Sequence, residues 1–185
     1  MAALSLAVVA GLTSCAGLDV GNDPTPSASA TDSMPSVDPS LIPPAATADL
    51  PRVALNDYVT SYNDYVFKVG DGPTWCSINQ QTEFVICEQD EAATLYDAIP
   101  VPDSCAYSYG YQIRLEASKP NNGDFASFTC AGGYYTDPSK AKILDDGSAI
   151  EAGPFTCYTA GQTVRCDNKD GKYIVLGART WALGN

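Results

Sequence analysis

The sequence predicts a mainly β fold: a small antiparallel β domain, sandwich- or barrel-like, stapled by disulfides, with one short helix before the sheet. Six cysteines (Cys76, Cys87, Cys105, Cys130, Cys157 and Cys166) fall in the C-terminal two-thirds of a 185-residue chain. Short apolar runs alternate with polar residues and end at Gly, Asn or Asp turns. Helical spacing is confined to one clear stretch.

The cysteines carry an internal repeat. Gly72-Pro73-x-x-Cys76 is followed by Val85-x-Cys87, and Gly153-Pro154-x-x-Cys157 by Val164-x-Cys166. Each copy holds a polar turn midway between its cysteines. An antiparallel hairpin closed there sets the two cysteines opposite each other, with Cβ atoms ~4.5–5.5 Å apart before bridging. The expected bridges are Cys76–Cys87 and Cys157–Cys166. Cys105 and Cys130 remain and pair with each other, tying an incoming loop to a far strand. This is one of 15 connectivities open to six cysteines.

The other elements follow in chain order. LNDYVTSYNDYV sets Leu55, Tyr58, Val59, Tyr62, Tyr65 and Val66 at helical spacing, giving the short helix. Glu88 to Ala98 adds a second short helical candidate. In AYSYGYQIRLE, Tyr107, Tyr109, Tyr111, Ile113 and Leu115 alternate with Ser108, Gly110, Gln112, Arg114 and Glu116. That is a strand whose tyrosine face is expected to pack inside. After the Asn122-Gly123 turn, Phe125 to Cys130 reads as the return strand. Further strands are expected at Val66–Val69, Lys142–Leu144, Lys172–Leu176 and Arg179–Leu183, with turns at Asp145-Asp146-Gly147 and Lys169-Asp170-Gly171.

Upstream of this domain (51–185) lie two other segments. Residues 1–14 read as a lipoprotein signal peptide. Their apolar run is far short of the ~20 residues that span a bilayer and fits a signal-peptide core. It ends in Leu12-Thr13-Ser14-Cys15, which resembles a bacterial lipobox: a branched apolar residue, two small residues, then the cysteine that takes a diacylglyceryl group. An anchor of two or more acyl chains, palmitate among them, holds a protein stably at a membrane. No Lys or Arg precedes the run, where a basic region is expected, so the true start is read upstream of Met1. Residues 15–50 are rich in Pro, Ser, Thr, Ala and Asp, lack aromatics, and read as a disordered tether.

Charge narrows the partners. The chain holds 22 Asp and Glu against 10 Lys and Arg, a net of −12. Five of those acids are in the tether with no base, leaving the domain 17 acids and 10 bases. Nucleic acid is therefore not an expected partner, nor is electrostatic attachment to anionic lipid.

The stretch ILDDGSAIEAGPFTCYTAGQTVRCDNKDGKYIVL resembles a family of small secreted actinobacterial proteins of unknown function. Leu144, Gly147, Gly153, Phe155, Cys157, Val164, Cys166, Asn168 and Gly171 match its pattern, while Lys172-Tyr173 replaces the usual ending. The resemblance covers about a quarter of the chain. It implies an envelope location and disulfides, and no reaction.

Chemistry narrows by subtraction. The chain has no histidine, so Ser-His-Asp and Cys-His catalysis are excluded, as is histidine ligation of zinc or haem. Ser139-Lys140-Ala141-Lys142 matches a Ser-x-x-Lys motif without its companions and reads as a turn. Asp145-Asp146 and Asp90-Glu91 are adjacent acids, which a strand sends to opposite faces. Asp167-Asn168-Lys169-Asp170-Gly171 lacks the ligands of a calcium loop and reads as a hairpin turn. No cofactor or metal is expected, and no catalytic residue.

The positive signal is aromatic. Eleven tyrosines cluster, and this residue suits interfaces because a large rigid ring carries a polar tip. Tyr134 and Tyr135, with Tyr58 and Tyr62, are the candidate binding surface. The expected function is a non-catalytic lipoprotein on the outer face of the cytoplasmic membrane, anchored through Cys15. It serves as an accessory subunit docked on a larger membrane or envelope complex. The alternative is a lipoprotein that binds cell-wall glycan or a small ligand.

Overall fold

The computed structural model describes residues 33–185, and the signal-peptide and Cys15 expectations lie outside them. Eleven strands form two sheets: β1 Tyr65–Val69, β2 Thr74–Asn79, β3 Phe84–Gln89, β4 Gln112–Glu116, β5 Ala126–Phe128, β6 Lys142–Leu144, β7 Ala149–Ala152, β8 Phe155–Ala160, β9 Thr163–Asn168, β10 Tyr173–Gly177 and β11 Thr180–Gly184. The first sheet has the order β5-β4-β3-β2-β1-β6 and the second β11-β10-β9-β8-β7. Their inner faces meet, with β10 against β3 and β4. Phe67, Ile78, Ile113, Leu115, Leu144, Ile150, Phe155, Ile174 and Leu176, all fully buried, fill the space between them.

The cysteine repeat is the visible part of a larger one. Strands β1 to β5 and β7 to β11 are two antiparallel meanders of the same order. The first cysteine of each faces an apolar residue on the preceding strand, Phe67 for Cys76 and Ile150 for Cys157. The second faces an isoleucine on the following strand, Ile113 for Cys87 and Ile174 for Cys166. The meanders also exchange edges. β6, which precedes the second, runs parallel to β1 of the first. Arg52, which precedes the first, bridges in parallel to Ala149 of the second. The β1 edge and the start of the β7 edge are thus covered.

All three expected disulfides are present. Cys76–Cys87 and Cys157–Cys166 join directly opposed residues, with Cα atoms 4.1 and 3.9 Å apart. Both point into the core, and the sulfurs of Cys76, Cys87 and Cys166 lie within 4.8 Å of one another. Cys105–Cys130, with Cα atoms 5.5 Å apart, joins two loops at the surface.

The helical expectations are corrected. Leu55–Asp57 is only a 3-10 turn, and Tyr65 and Val66 belong to β1. Asn63, at φ 68°, reverses the chain between them. Pairing of Tyr65–Lys68 with Trp75–Ile78 then outweighs the helical spacing. This is the usual result when β-branched and aromatic residues find a partner strand. Glu88 and Gln89 likewise stay in β3, followed by a single 3-10 turn at Glu91–Ala93. The central strand begins only at Gln112. Gly110 at φ +94° breaks the run, and Tyr107 is 67% exposed instead of packed inside.

Residues 33–53 form a strap on the domain. A 3-10 turn at Pro39–Leu41 is capped by Asp38, whose side chain accepts the Ser40 N–H. Arg165 donates to the Pro43 carbonyl at 2.9 Å and the Tyr158 hydroxyl donates to that of Pro44. Both side chains stand on the outer face of the second sheet. The part of the expected tether from Ser33 onward is therefore seated on its own domain.

Candidate functional site

The outer face of the first sheet carries the candidate site. Strand alternation sends Cys76, Ile78, Val85, Cys87, Ile113 and Leu115 inward. It leaves Trp75, Ser77, Asn79, Phe84, Ile86, Glu88, Gln112 and Arg114 on the other side. Residues 129–137 cross this face after β5 and divide it.

Glu88 anchors the crossing. It is 2% exposed, and its carboxylate accepts the indole N–H of Trp75 at 3.0 Å and the Gln112 amide at 2.7 Å. It also accepts the backbone N–H groups of Tyr135 at 2.7 Å and Thr136 at 3.2 Å. A buried carboxylate is tolerated where its oxygens are satisfied in this way. Ser77 and Thr136 hydroxyls meet at 2.7 Å beside it.

So fixed, Tyr134 and Tyr135 point to opposite sides. Tyr134 packs edge-on to Trp75, with ring centroids 5.0 Å apart. Tyr135 packs edge-on to Phe84 at 5.6 Å, and the Arg114 guanidinium lies 3.7 Å over the far ring. Each tyrosine borders a cleft.

The first cleft, about 790 Å³, is lined by Glu88, Asp90, Glu91, Tyr107, Tyr111 and Tyr134, with Gly132 and Gly133 at its floor. Three devices hold its walls. The Cys105–Cys130 bridge joins the two wall loops. Next to it the Ala131 N–H donates to the Ser108 carbonyl at 2.9 Å. The third is a polar knot below: the Tyr96 hydroxyl donates to the Gly110 carbonyl at 2.6 Å, while buried Gln89 donates to Thr94 at 2.6 Å and to Tyr96 at 3.2 Å. Burial raises the Tyr96 phenol pKa far above its ordinary value. At Tyr111, burial and then the Glu91 carboxylate raise the phenol.

The second cleft, about 760 Å³, lies beyond Tyr135 and is lined by Thr60, Ser61, Tyr62, Asp64, Asn79 and Gln81 among others. Tyr62, 83% exposed, stands at its rim. Asp64 accepts from Asn79 at 3.0 Å and from the Tyr135 hydroxyl at 3.3 Å. Burial raises its carboxyl above the ordinary value, and the two hydrogen bonds oppose that shift.

Of the four tyrosines expected at a binding surface, Tyr134 borders the first cleft and Tyr62 and Tyr135 the second. Tyr58 lines neither. It is 6% exposed and its hydroxyl donates to the Ile143 carbonyl, so it ties the entering chain to β6. Among the described residues, the clustered sulfurs of Cys76, Cys87 and Cys166 are committed to disulfides and supply no thiolate to a metal. Ser139 and Lys140 sit in a 3-10 turn, and Asn168 closes a hairpin by accepting from Asp170 and Lys172, matching the turns expected there.

Glu88, Glu91, Tyr107 and Tyr111 were not expected together. Their signal is a difference between the repeats. β9 and β10 are joined by residues 169–172, whereas β3 and β4 are joined by residues 90–111. The first cleft is built largely from that insertion and from the segment after β5, two of the parts in which the meanders differ. The chain matches no family model, no curated protein and no solved structure.

Proposed function

We propose that this chain is a non-catalytic extracytoplasmic lipoprotein, anchored through Cys15, that docks on a larger membrane or envelope complex through the cleft face of its first sheet. One observation carries the reading. A repeated, disulfide-filled scaffold bears an insertion, present in one repeat, that helps wall a cleft with exposed tyrosines. Rigid aromatic residues around a preformed concavity are the usual anchors of recognition. The carboxylates, hydroxyls and phenols around the clefts suit hydrogen-bonded and aromatic contacts, which supports the binding reading.

The test is co-purification from mildly solubilised membranes. Wild-type chain is expected to bring down a defined partner, and Tyr107→Ala/Tyr134→Ala to lose it while folding normally. A chain that always purifies alone overturns the reading.

The second cleft favours a second reading, binding of cell-wall glycan. Tyr62 stands beside the hydroxyls and amides of Thr60, Ser61, Asn79 and Gln81, the groups that grip neutral hydroxylated ligands. Retention on isolated cell wall that is lost in Tyr62→Ala/Tyr135→Ala supports it, and unchanged retention rejects it.

A further inference from the structure

The first cleft has an unbalanced charge. Glu88, Asp90 and Glu91 line it, and no lysine or arginine does. Among the described residues none of these three carboxylates has an ion-pair partner within 4.0 Å, the ion pairs being Arg52–Glu151, Arg114–Glu116, Lys142–Asp57 and Arg165–Asp167. Arg114, on the same sheet face as Glu88, is turned to the Phe84 ring and to Glu116 at 2.6 Å. The donors around Glu88 are all neutral: an indole, a side-chain amide and two backbone N–H groups. Asp90 uses one oxygen on the Ala92 N–H, and Glu91 meets the Ser108 hydroxyl at 3.5 Å and faces the Tyr111 phenol, both neutral.

The remaining walls suit a cation as well. Tyr107, Tyr111 and Tyr134 offer aromatic rings, and Tyr107 lies against Gly132, 3.9 Å from where a Cβ would stand. An ammonium or guanidinium within about 6 Å of a ring centroid is attracted by the ring quadrupole. A low-dielectric concavity lined by one sign of charge focuses its field on the opposite sign. A neutral occupant would strip water from Asp90 and Glu91 and give them no countercharge, which is costly. An anion would meet three carboxylates.

We propose that this cleft receives a lysine or arginine side chain presented by the partner protein. The proposal rests on the docking reading above and names the chemistry of its contact. Tyr107, Tyr111 and Tyr134 enclose the alkyl stem or guanidinium plane, and Glu91 and Asp90 face the charge. The Cys105–Cys130 bridge keeps the walls apart before the partner arrives, so little ordering accompanies binding.

The test uses the intact folded chain and amide NMR. The probes are N-acetyl-lysine methylamide, N-acetyl-arginine methylamide and, as the neutral isostere, N-acetyl-norleucine methylamide. The cationic probes are expected to shift Tyr107, Ser108, Tyr111 and Gly132–Tyr134, weakly and saturably, and less as salt rises. Glu91→Gln should weaken them about two- to fivefold, as suits one exposed charge contact. Glu151→Gln, on the other sheet, should leave them unchanged.

Equal shifts from the norleucine probe, no shift in the cleft, or an unchanged affinity in Glu91→Gln overturns the proposal. A chito-oligosaccharide shifting the same residues in place of lysine overturns it in favour of a glycan. Partner capture that depends on Tyr107 and Tyr134 while the cationic probes fail overturns this proposal and leaves docking standing. Cationic probes that bind while no partner is ever captured support the cleft chemistry and overturn docking.

Discussion

The Glu88 carboxylate on β3 accepts the backbone N–H of Tyr135 at 2.7 Å, 47 residues along the chain. A buried acid thus sets the position of an exposed aromatic loop, and the loop in turn divides the sheet face into two clefts. Replacing Glu88 by Ala orphans the Trp75 indole, the Gln112 amide and two backbone N–H groups together. Hydrogen bonds to a charged group contribute ~1.5–3 kcal/mol each, and buried donors left unmet cost more. The expected outcome is a loss of roughly 3–5 kcal/mol in denaturant unfolding, with faster hydrogen exchange at residues 132–136. Unchanged exchange there would refute the anchoring role.

The three bridges should differ in their response to reductant. Cys76, Cys87, Cys157 and Cys166 are wholly buried, whereas Cys130 is exposed. Thiol–disulfide exchange needs access to a sulfur. Under native conditions dithiothreitol should open Cys105–Cys130 first, and alkylation followed by peptide mass spectrometry should label Cys105 and Cys130 well before the other four. Simultaneous labelling of all six would contradict the arrangement.

Gly110 should not tolerate a side chain. At φ +94° its backbone lies where L-residues are strained, and a Cβ would fall 2.8 Å from Ile99 Cγ1. The left-handed conformation alone costs roughly 1–2 kcal/mol for a non-glycine residue. Gly110→Ala should lower stability by about 2–3 kcal/mol and loosen the first cleft. A thermal melt matching wild type would show that the insertion relaxes freely.

The strap depends on Arg165. This side chain donates to the Pro43 carbonyl, pairs with Asp167 at 2.7 Å and stacks 3.9 Å over Tyr173. Arg165→Ala should release residues 33–50 from the second sheet while the disulfide core persists. Limited proteolysis with a nonspecific protease should then cut before residue 51 at least several-fold faster. An unaltered digestion pattern would mean that Tyr158 and the Val53–Ala149 contacts suffice.

Two aspartates should titrate on opposite sides of the ordinary carboxyl value. Asp64 is raised by burial, and Asp137 is lowered by accepting the backbone N–H and then the side-chain hydroxyl of Ser139. The signs differ for stability too. Folding favours protonated Asp64, so that contribution is complete below the unfolded pKa and is lost as pH rises through the folded one. Asp137 contributes above the unfolded pKa, and the contribution is lost as pH falls through the folded one. Side-chain carboxyl NMR from about pH 2 to 7 reads both. An Asp64 midpoint below that of Asp137 would contradict the assignment.

The parts legible in sequence were those governed by local spacing. The Gly-Pro-x-x-Cys and Val-x-Cys repeat fixes a hairpin, and a hairpin fixes which cysteines oppose, so Cys76–Cys87 and Cys157–Cys166 followed directly. The helix expected over Leu55–Val66 failed because Leu55, Tyr58, Val59 and Tyr62 satisfy helical spacing by chance. The deciding facts, a positive φ at Asn63 and a partner strand at Thr74–Asn79, are not local. The tyrosine alternation misled in part: Ile113 and Leu115 are buried and Tyr109 packs against the core, but period two does not continue in the backbone through Gly110, and Tyr107 is left exposed. Glu88 gave no signal at all: a glutamate in a strand looks solvent-facing until residues 134–136 are laid over it.

The strap also bears on where the proposed recognition takes place. At Pro43 and Pro44 it is held on the outer face of the second sheet, whereas both clefts open on the outer face of the first. If Cys15 is the anchor proposed above, the 18 residues from it to Ser33 reach at most about 60–65 Å when fully extended. That is roughly half the leash a free segment running to residue 50 would allow. No strap residue lines either cleft, so a leash drawn out on that anchoring leaves both open to a partner.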